Sequence, residues 1–257
     1  MSSRTAVRDS AVGYLAELFE GIQGEGLFAG YHHAFIRLAG CHLGCKYCDT
    51  QYAQKQDGPF RVLERSGAAV KELENPTSVA TTLNELASLV KSSLSLSAIC
   101  VTGGEPLEQP DFLGELLKAI KPFELPILLE TNGVEYESLG RILNLLNVIS
   151  IDIKLPSTSG RNDLWERHEA FLQVARHKQV FIKVAIDETT EPAEVQRAAE
   201  MVAGTLDDPP FFLQPVTDSS GALTVSYRHI LELFDVCARQ LRDVRVMPQI
   251  HKVIGSL

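Results

Sequence analysis

The sequence predicts an α/β fold, a partial and open TIM-like β/α barrel of about six repeats in a single domain. From residue 34 onward, short β-branched runs alternate with amphipathic stretches, the pattern of βαβ units and a parallel sheet. The alternation repeats about six times, short of the eight units that close a barrel. Polar or glycine-rich clusters at 40–48, 103–106, 132–133 and 154–160 follow several of the runs, where parallel α/β folds place their ligand-binding rim.

Taken in order, strands are expected at 34–38, 98–102, 126–131, 148–153, 180–186, 211–216 and 244–247. Helices are expected between them, near 77–92, 111–121, 136–146, 163–177, 192–203 and 225–241. A doubly wound sheet is the alternative arrangement of the same elements. The single domain, 1–257, then has three attachments to the repeat: an N-terminal segment 1–30, a C-terminal segment 244–257, and an insertion or flap at 51–76 rich in Gln, Lys, Glu and Gly. A length of 257 residues is common for one α/β barrel.

With 45% hydrophobic and 22% charged residues the composition is that of an ordinary globular chain. A formal charge of -9, from 33 acidic against 24 basic residues, gives no net attraction for a phosphate polymer, so no nucleic-acid partner is expected. No apolar run reaches the roughly 18 residues that span a bilayer, and the N-terminus leads into no signal-like stretch. The expectation is a cytoplasmic protein with no membrane partner. Five cysteines, three of them within eight residues, suit metal ligation in a reducing compartment better than structural disulfides.

Those three form Cys41-His-Leu-Gly-Cys45-Lys-Tyr-Cys48, a CxxxCxxC spacing directly after the first expected strand. A structural zinc site takes four protein ligands, and an electron-transfer cluster usually takes four cysteines. Three thiolates on a 4Fe-4S cluster leave one iron open to a chelating molecule. The spacing resembles that of the radical SAM superfamily, whose open iron binds S-adenosylmethionine. A zinc site completed by His42 or a distant histidine, or a set of buried thiols, is the competing reading. Cys100 and Cys237 lie in apolar stretches and read as core residues.

Further segments extend the resemblance. Thr102-Gly-Gly-Glu-Pro106 ends the second strand and resembles the superfamily's GGEP motif, which implies SAM contacts at Gly104 and Glu105. Tyr47 matches the aromatic residue that packs near the adenine. Glu130-Thr131-Asn-Gly133 follows the next strand, where Thr131 is placed for ribose hydroxyls; an Asn-Gly turn explains it equally. Asp152 and Lys154 alternate to one face at the end of the fourth strand, for SAM or as a local salt bridge, and Gln214 ends another strand.

Gln23-Gly-Glu-Gly26, Phe35-Ile-Arg37-Leu-Ala-Gly-Cys41, Cys48-Asp-Thr50, the two strand-end motifs, Gln214-Pro215 and Gln249-Ile-His251-Lys252 together resemble the 7-carboxy-7-deazaguanine synthase family. The matches run from residue 20 to the C-terminus. The resemblance implies a radical lyase that contracts 6-carboxy-5,6,7,8-tetrahydropterin with loss of ammonia, in the queuosine and 7-deazapurine precursor route, with SAM recycled. It implies substrate contacts at Ile22, Gln23, Gly24, Arg37, Thr102, His251 and the terminal Leu257, and Mg2+ at Thr50, a hard-oxygen ligand. It also implies a flavodoxin- or ferredoxin-type reductant and a homodimer. Some family members carry Ser-Pro-Lys where this chain has Asp152-Ile-Lys154. A radical SAM activase that generates a glycyl radical, and a non-catalytic metal-binding module, are the alternatives.

Overall fold

A computed structural model of the chain describes residues 11–64, 67–218 and 220–255. The chain opens with β1 (Val12–Gly13) and β2 (Leu15–Ile22), and β3 (His32–Leu38) is the first barrel strand. Next come β4 (Phe60–Leu63), β5 (Ala69–Leu73), β6 (Thr77–Ser78) and α1 (Val79–Ser92). Strand and helix then alternate through β7 (Ala98–Gly103), α2 (Pro110–Ile120), β8 (Ile127–Thr131), α3 (Tyr136–Ile142) and β9 (Val148–Asp152). After the short α4 (Pro156–Ser159) follow α5 (Trp165–Ala175), β10 (Gln179–Ile186), α6 (Pro192–Thr205), β11 (Phe211–Pro215), α7 (Tyr227–Ala238), β12 (Val244–Val246) and α8 (Ile250–Ile254).

All seven expected strands and six expected helices are present. Their order in the sheet, β12-β11-β10-β9-β8-β7-β3, follows the sequence without reversal, and each neighbouring pair is parallel. That topology is the open β/α barrel; a doubly wound sheet would reverse its strand order at a switch point. Helix starts are locally encoded. Ser78 caps α1 by accepting from the Thr81 N–H, Ser226 caps α7, and prolines open α2 and α6, where a missing N–H costs nothing.

Three strands of the large sheet, β2, β4 and β5, lie beyond the expected repeat. β2 pairs antiparallel with β3, so residues 15–22 belong to the sheet rather than to a loop. The 51–76 insertion contributes β4, parallel to β2, and β5, antiparallel to β4, and so lengthens the sheet instead of forming a detached flap. The expected helix 136–146 ends as α at Ile142 and continues as a 3-10 turn over Leu143–Leu145.

Period-2 alternation divides the barrel strands between two cores. Ala34, Ile36, Leu38, Ile99, Val101, Ile182 and Val184 pack outward with the helices in one large cluster. Phe19, Phe35, Cys100, Leu128, Val148, Phe181 and Phe212 fill the concave side. Both faces being covered explains why the strands read as near-continuous apolar runs.

Candidate active site

Along the concave face each strand changes from apolar to polar toward its C-terminal end. Two residues beyond Phe35, Leu128, Phe181 and Phe212 come Arg37, Glu130, Lys183 and Gln214, and β9 runs from Val148 through Ser150 to Asp152. The apolar end packs the barrel, and the polar end lines a cavity of about 360 Å³, within the range of small-molecule sites.

Cys41, Cys45 and Cys48 all line this cavity as free thiols. Their loop rests on an apolar base of Leu43, Val134 and Leu164, against which Cys41 and Cys45 pack. Burial pushes the Cys41 thiol up to about 11 and raises Cys45 as well, so binding a positively charged inorganic centre must displace protons. His42 faces away from the thiols: its Nδ1 lies 2.6 Å from the Glu108 carboxylate, and it does not line the cavity. Three convergent thiols without His42 fit a cluster with one open iron better than a four-ligand zinc site.

The loop is anchored by backbone contacts that only glycine permits. A Cβ on Gly104 would lie 2.2 Å from the Gly40 carbonyl oxygen, and Gly103, at φ +148°, closely approaches the Leu38 backbone. The Gly104 and Glu105 N–H groups donate to the carbonyls of Leu38 and Gly40 at 2.9 and 2.7 Å. Glu105 itself is fully buried and absent from the cavity lining. Its carboxylate accepts from the Leu107 N–H, the Thr131 hydroxyl and the Asn132 N–H at 3.0, 2.9 and 2.7 Å, tying the β7 and β8 loops together. Burial pushes this carboxyl up to about 7 against those three donors.

On the β9 side, Lys154 Nζ lies 2.7 Å from Asp152 and 3.0 Å from the Tyr47 hydroxyl, so the expected pair forms a salt bridge and lines the cavity together. Burial opposes the Lys154 charge, but the Asp152 carboxylate beside it holds its pKa well above the ordinary value. His168, buried on α5, fixes the approach of this loop. Its Nδ1 is 2.9 Å from the Gly133 carbonyl and its Nε2 accepts from the Lys154 N–H at 3.2 Å, an arrangement only one neutral tautomer satisfies.

The substrate-segment residues enter from the opposite wall. Gln23 donates to Glu130 at 2.9 Å, and the other Glu130 oxygen accepts from the Thr102 hydroxyl at 2.9 Å. Glu25 accepts from Lys183 and, at 2.6 Å, from Gln249. Burial alone would raise the Glu25 carboxyl, yet Lys183, His251 and Gln249 hold it below the usual range. Burial likewise opposes the Lys183 charge, and Glu25 overrides it. The C-terminal segment closes on the same place: the Ile250 N–H donates to the Gly24 carbonyl at 2.9 Å, and a Cβ on Gly24 would collide with His251. Arg37 lies over the Phe19 ring, its Nε 3.4 Å from Glu17.

Thus Ile22, Gln23, Gly24, Arg37, Tyr47, Thr50, Gly104, Thr131, Asp152, Lys154, Gln214 and His251 line one cavity with the three cysteines. Thr102 reaches it through Glu130, Glu105 lies behind it, and Leu257 falls outside the described residues. Lys183, Glu130, Asp49, Gln249 and Lys252 also line it; the last four lie inside sequence motifs quoted above without being singled out there as site residues, and Lys183 lies in none of them. Alternation with Phe181 and Leu128 placed the first two on this face; no sequence signal named their partners. Ligand atoms of Glu25, Asp49 and His251 lie within 4.8 Å of one another.

An open parallel barrel with three free thiols at its rim defines a class of cluster-binding enzyme, and a family model of the radical SAM superfamily matches residues 35–187. Among curated proteins, the 7-carboxy-7-deazaguanine synthase of Geobacter sulfurreducens is 39% identical over 95% of this chain and 97% of its own length. That of Methanopyrus kandleri is 33% identical over 94% of this chain and 93% of its own. The crystal structure of QueE from Escherichia coli shares the fold, with a TM-score of 0.59 and 23% identity over 93% of this chain and 95% of that one. The chain belongs to the radical SAM superfamily and, within it, to the 7-carboxy-7-deazaguanine synthase family.

Proposed function

We propose that this chain converts 6-carboxy-5,6,7,8-tetrahydropterin to 7-carboxy-7-deazaguanine with release of ammonia, a carbon–nitrogen lyase step in 7-deazapurine biosynthesis. The observation that carries the reading is the single cavity in which the three thiols face Gln23, Glu25, Arg37, Glu130 and His251. Family membership supplies the reaction class.

Cys41, Cys45 and Cys48 would hold a 4Fe-4S cluster, which supplies the electron that cleaves S-adenosylmethionine. Tyr47, Gly104, Thr131, Asp152, Lys154 and Gln214 surround the space beside the thiols and would orient that cofactor. Glu105 would act as a strut that holds Thr131 and the Gly104 loop in place rather than as a direct contact. Arg37, stacked on Phe19, offers its guanidinium to the substrate carboxylate. The carboxyl oxygens of Glu25 and Glu130 suit the N–H groups of the pterin's guanidine-like edge, with Ile22 and Gly24 shaping the wall.

Thr50 lies beside Cys48, its hydroxyl 3.7 Å from the sulfur, in the cavity that Glu25, Asp49 and His251 also line, and would offer Mg2+ the hard oxygen ligand that ion prefers. The resemblance also supports a flavodoxin- or ferredoxin-type reductant, a homodimer, and a role for the Leu257 carboxylate at the substrate. Anaerobic incubation with S-adenosylmethionine, dithionite, Mg2+ and the carboxytetrahydropterin, followed by mass spectrometry, tests the proposal. A product lighter by one ammonia is expected. Cleavage of S-adenosylmethionine with the pterin left intact would overturn the substrate assignment.

A further inference from the structure

At the N-terminal end of the barrel strands lies a second cavity, of about 140 Å³. Ala98, Leu128 and Val148, inward-facing residues at the starts of β7, β8 and β9, form its wall, and Phe28 and Tyr31 form its aromatic rim. The 23–31 segment serves both cavities, because Gln23, Gly24 and Glu25 line the upper one while Phe28 and Tyr31 line the lower. The lower cavity shares no lining residue with the site described above.

One residue in it is out of keeping with an apolar void. His33 on β3 lines the cavity, is 0% exposed, and has no hydrogen-bond partner for either ring nitrogen among the described residues. Each unsatisfied buried polar atom costs about 1–3 kcal/mol, and native structures rarely leave two on one ring. Burial holds the ring at a pKa of about 4, reinforced by His32 and opposed by Glu130, so it is neutral and offers one N–H and one lone pair. The rings of Phe28 and Phe35 flank it at centroid distances of 6.2 and 5.9 Å.

These features select a ligand chemistry. No lining residue carries a formal charge when His33 is neutral, so an ion would be desolvated without compensation. The volume approaches that of the ~150 Å³ apolar cavities that accept a benzene ring. Phe28 and Tyr31, edge to face at 6.1 Å, offer aromatic surface at the rim. We propose that this cavity is a second binding site, for a small neutral planar ring whose hydroxyl or N–H edge pairs with His33.

Ligand-observed NMR on the cluster-loaded enzyme, with phenol and toluene as probes, tests this. Phenol should bind and show contacts to the Tyr31 and Phe28 ring protons in the unsubstituted protein. In His33→Leu the ratio of phenol to toluene affinity should fall by about tenfold, the worth of one hydrogen bond. Ala98→Leu, which fills the cavity while keeping His33, should abolish binding of both. Absence of phenol binding, contacts only to residues of the upper cavity, or a ratio unchanged by His33→Leu would each overturn the assignment.

Discussion

Lys183 and Glu25, 158 residues apart, form a buried ion pair that joins β10 to the segment leaving β2 inside the cavity. Each opposes the cost of burying the other, and Gln249 and His251 add the C-terminal segment to the same node. Three distant parts of the chain therefore meet at one carboxylate.

Deleting one member of such a pair should cost more than deleting both. Lys183→Met is expected to destabilise the protein by about 3–5 kcal/mol, because it leaves the Glu25 carboxylate buried without its cation. Glu25→Gln combined with Lys183→Met should recover part of that loss. Urea unfolding of the four members of the cycle measures it; strictly additive effects would show that the contact carries no coupling.

The cysteines divide by place. Replacing Cys41, Cys45 or Cys48 with Ala should abolish cluster binding, since each lines the cavity with a free thiol. Cys100→Ala and Cys237→Ala, buried in the inner barrel core and on α7, should keep the cluster at a stability cost of about 1 kcal/mol. Iron quantitation after anaerobic reconstitution reads both results, and a full cluster in Cys45→Ala would remove that residue from the ligand set.

The barrel was legible because both of its signals are local. Period-2 runs mark the strands, and amphipathic stretches with Ser or Pro starts mark the helices. β2 was hidden because Glu17 and Glu20 break its apolar pattern, and the groups that pair with them, Arg61 and Arg37 for Glu17 and His32 and Ser93 for Glu20, lie elsewhere in the chain. β5 was hidden because it is an almost wholly exposed edge with no buried face to imprint alternation. The cysteine loop and strand-end motifs located the cavity, but Glu105 points behind it: the loop bends its carboxylate onto the Leu107 and Asn132 N–H groups, which spacing cannot show.

Thr50 offers a hydroxyl in the cavity that Asp49 and Glu25 also line. Thr50→Ala should shift the Mg2+ dependence of turnover to higher concentration while leaving S-adenosylmethionine affinity within about twofold, because all three thiols and the β9 residues are retained. A Mg2+ titration identical to that of the unsubstituted enzyme would remove Thr50 from the metal site.

His168 makes the last prediction, because its two ring nitrogens have opposite duties. Nδ1 must carry the proton to donate to the Gly133 carbonyl, and Nε2 must be bare to accept from the Lys154 N–H. A protonated ring would set an N–H against that donor. Burial, with Lys154 acting in the same sense, lowers its pKa from 6.5 to about 4. Above pH 6.5 the ring is neutral in both folded and unfolded chains, and the stability it contributes is fully present. As the pH falls toward 4, the unfolded chain takes up a proton that the folded one refuses, so stability falls with pH. One such proton is worth about 1.4 kcal/mol per pH unit, or about 2 kcal/mol between pH 7 and pH 5. His168→Asn lacks the titration but also loses one of the two hydrogen bonds, so it should be less stable than the unsubstituted protein at pH 7. By pH 5 the gap should narrow by about 2 kcal/mol. His33, whose folded pKa is also about 4, is present in both proteins and cancels in the comparison. Urea midpoints of the reduced apoproteins at the two pH values decide the matter: a gap of equal size at both would mean that His168 is not held neutral between Gly133 and Lys154.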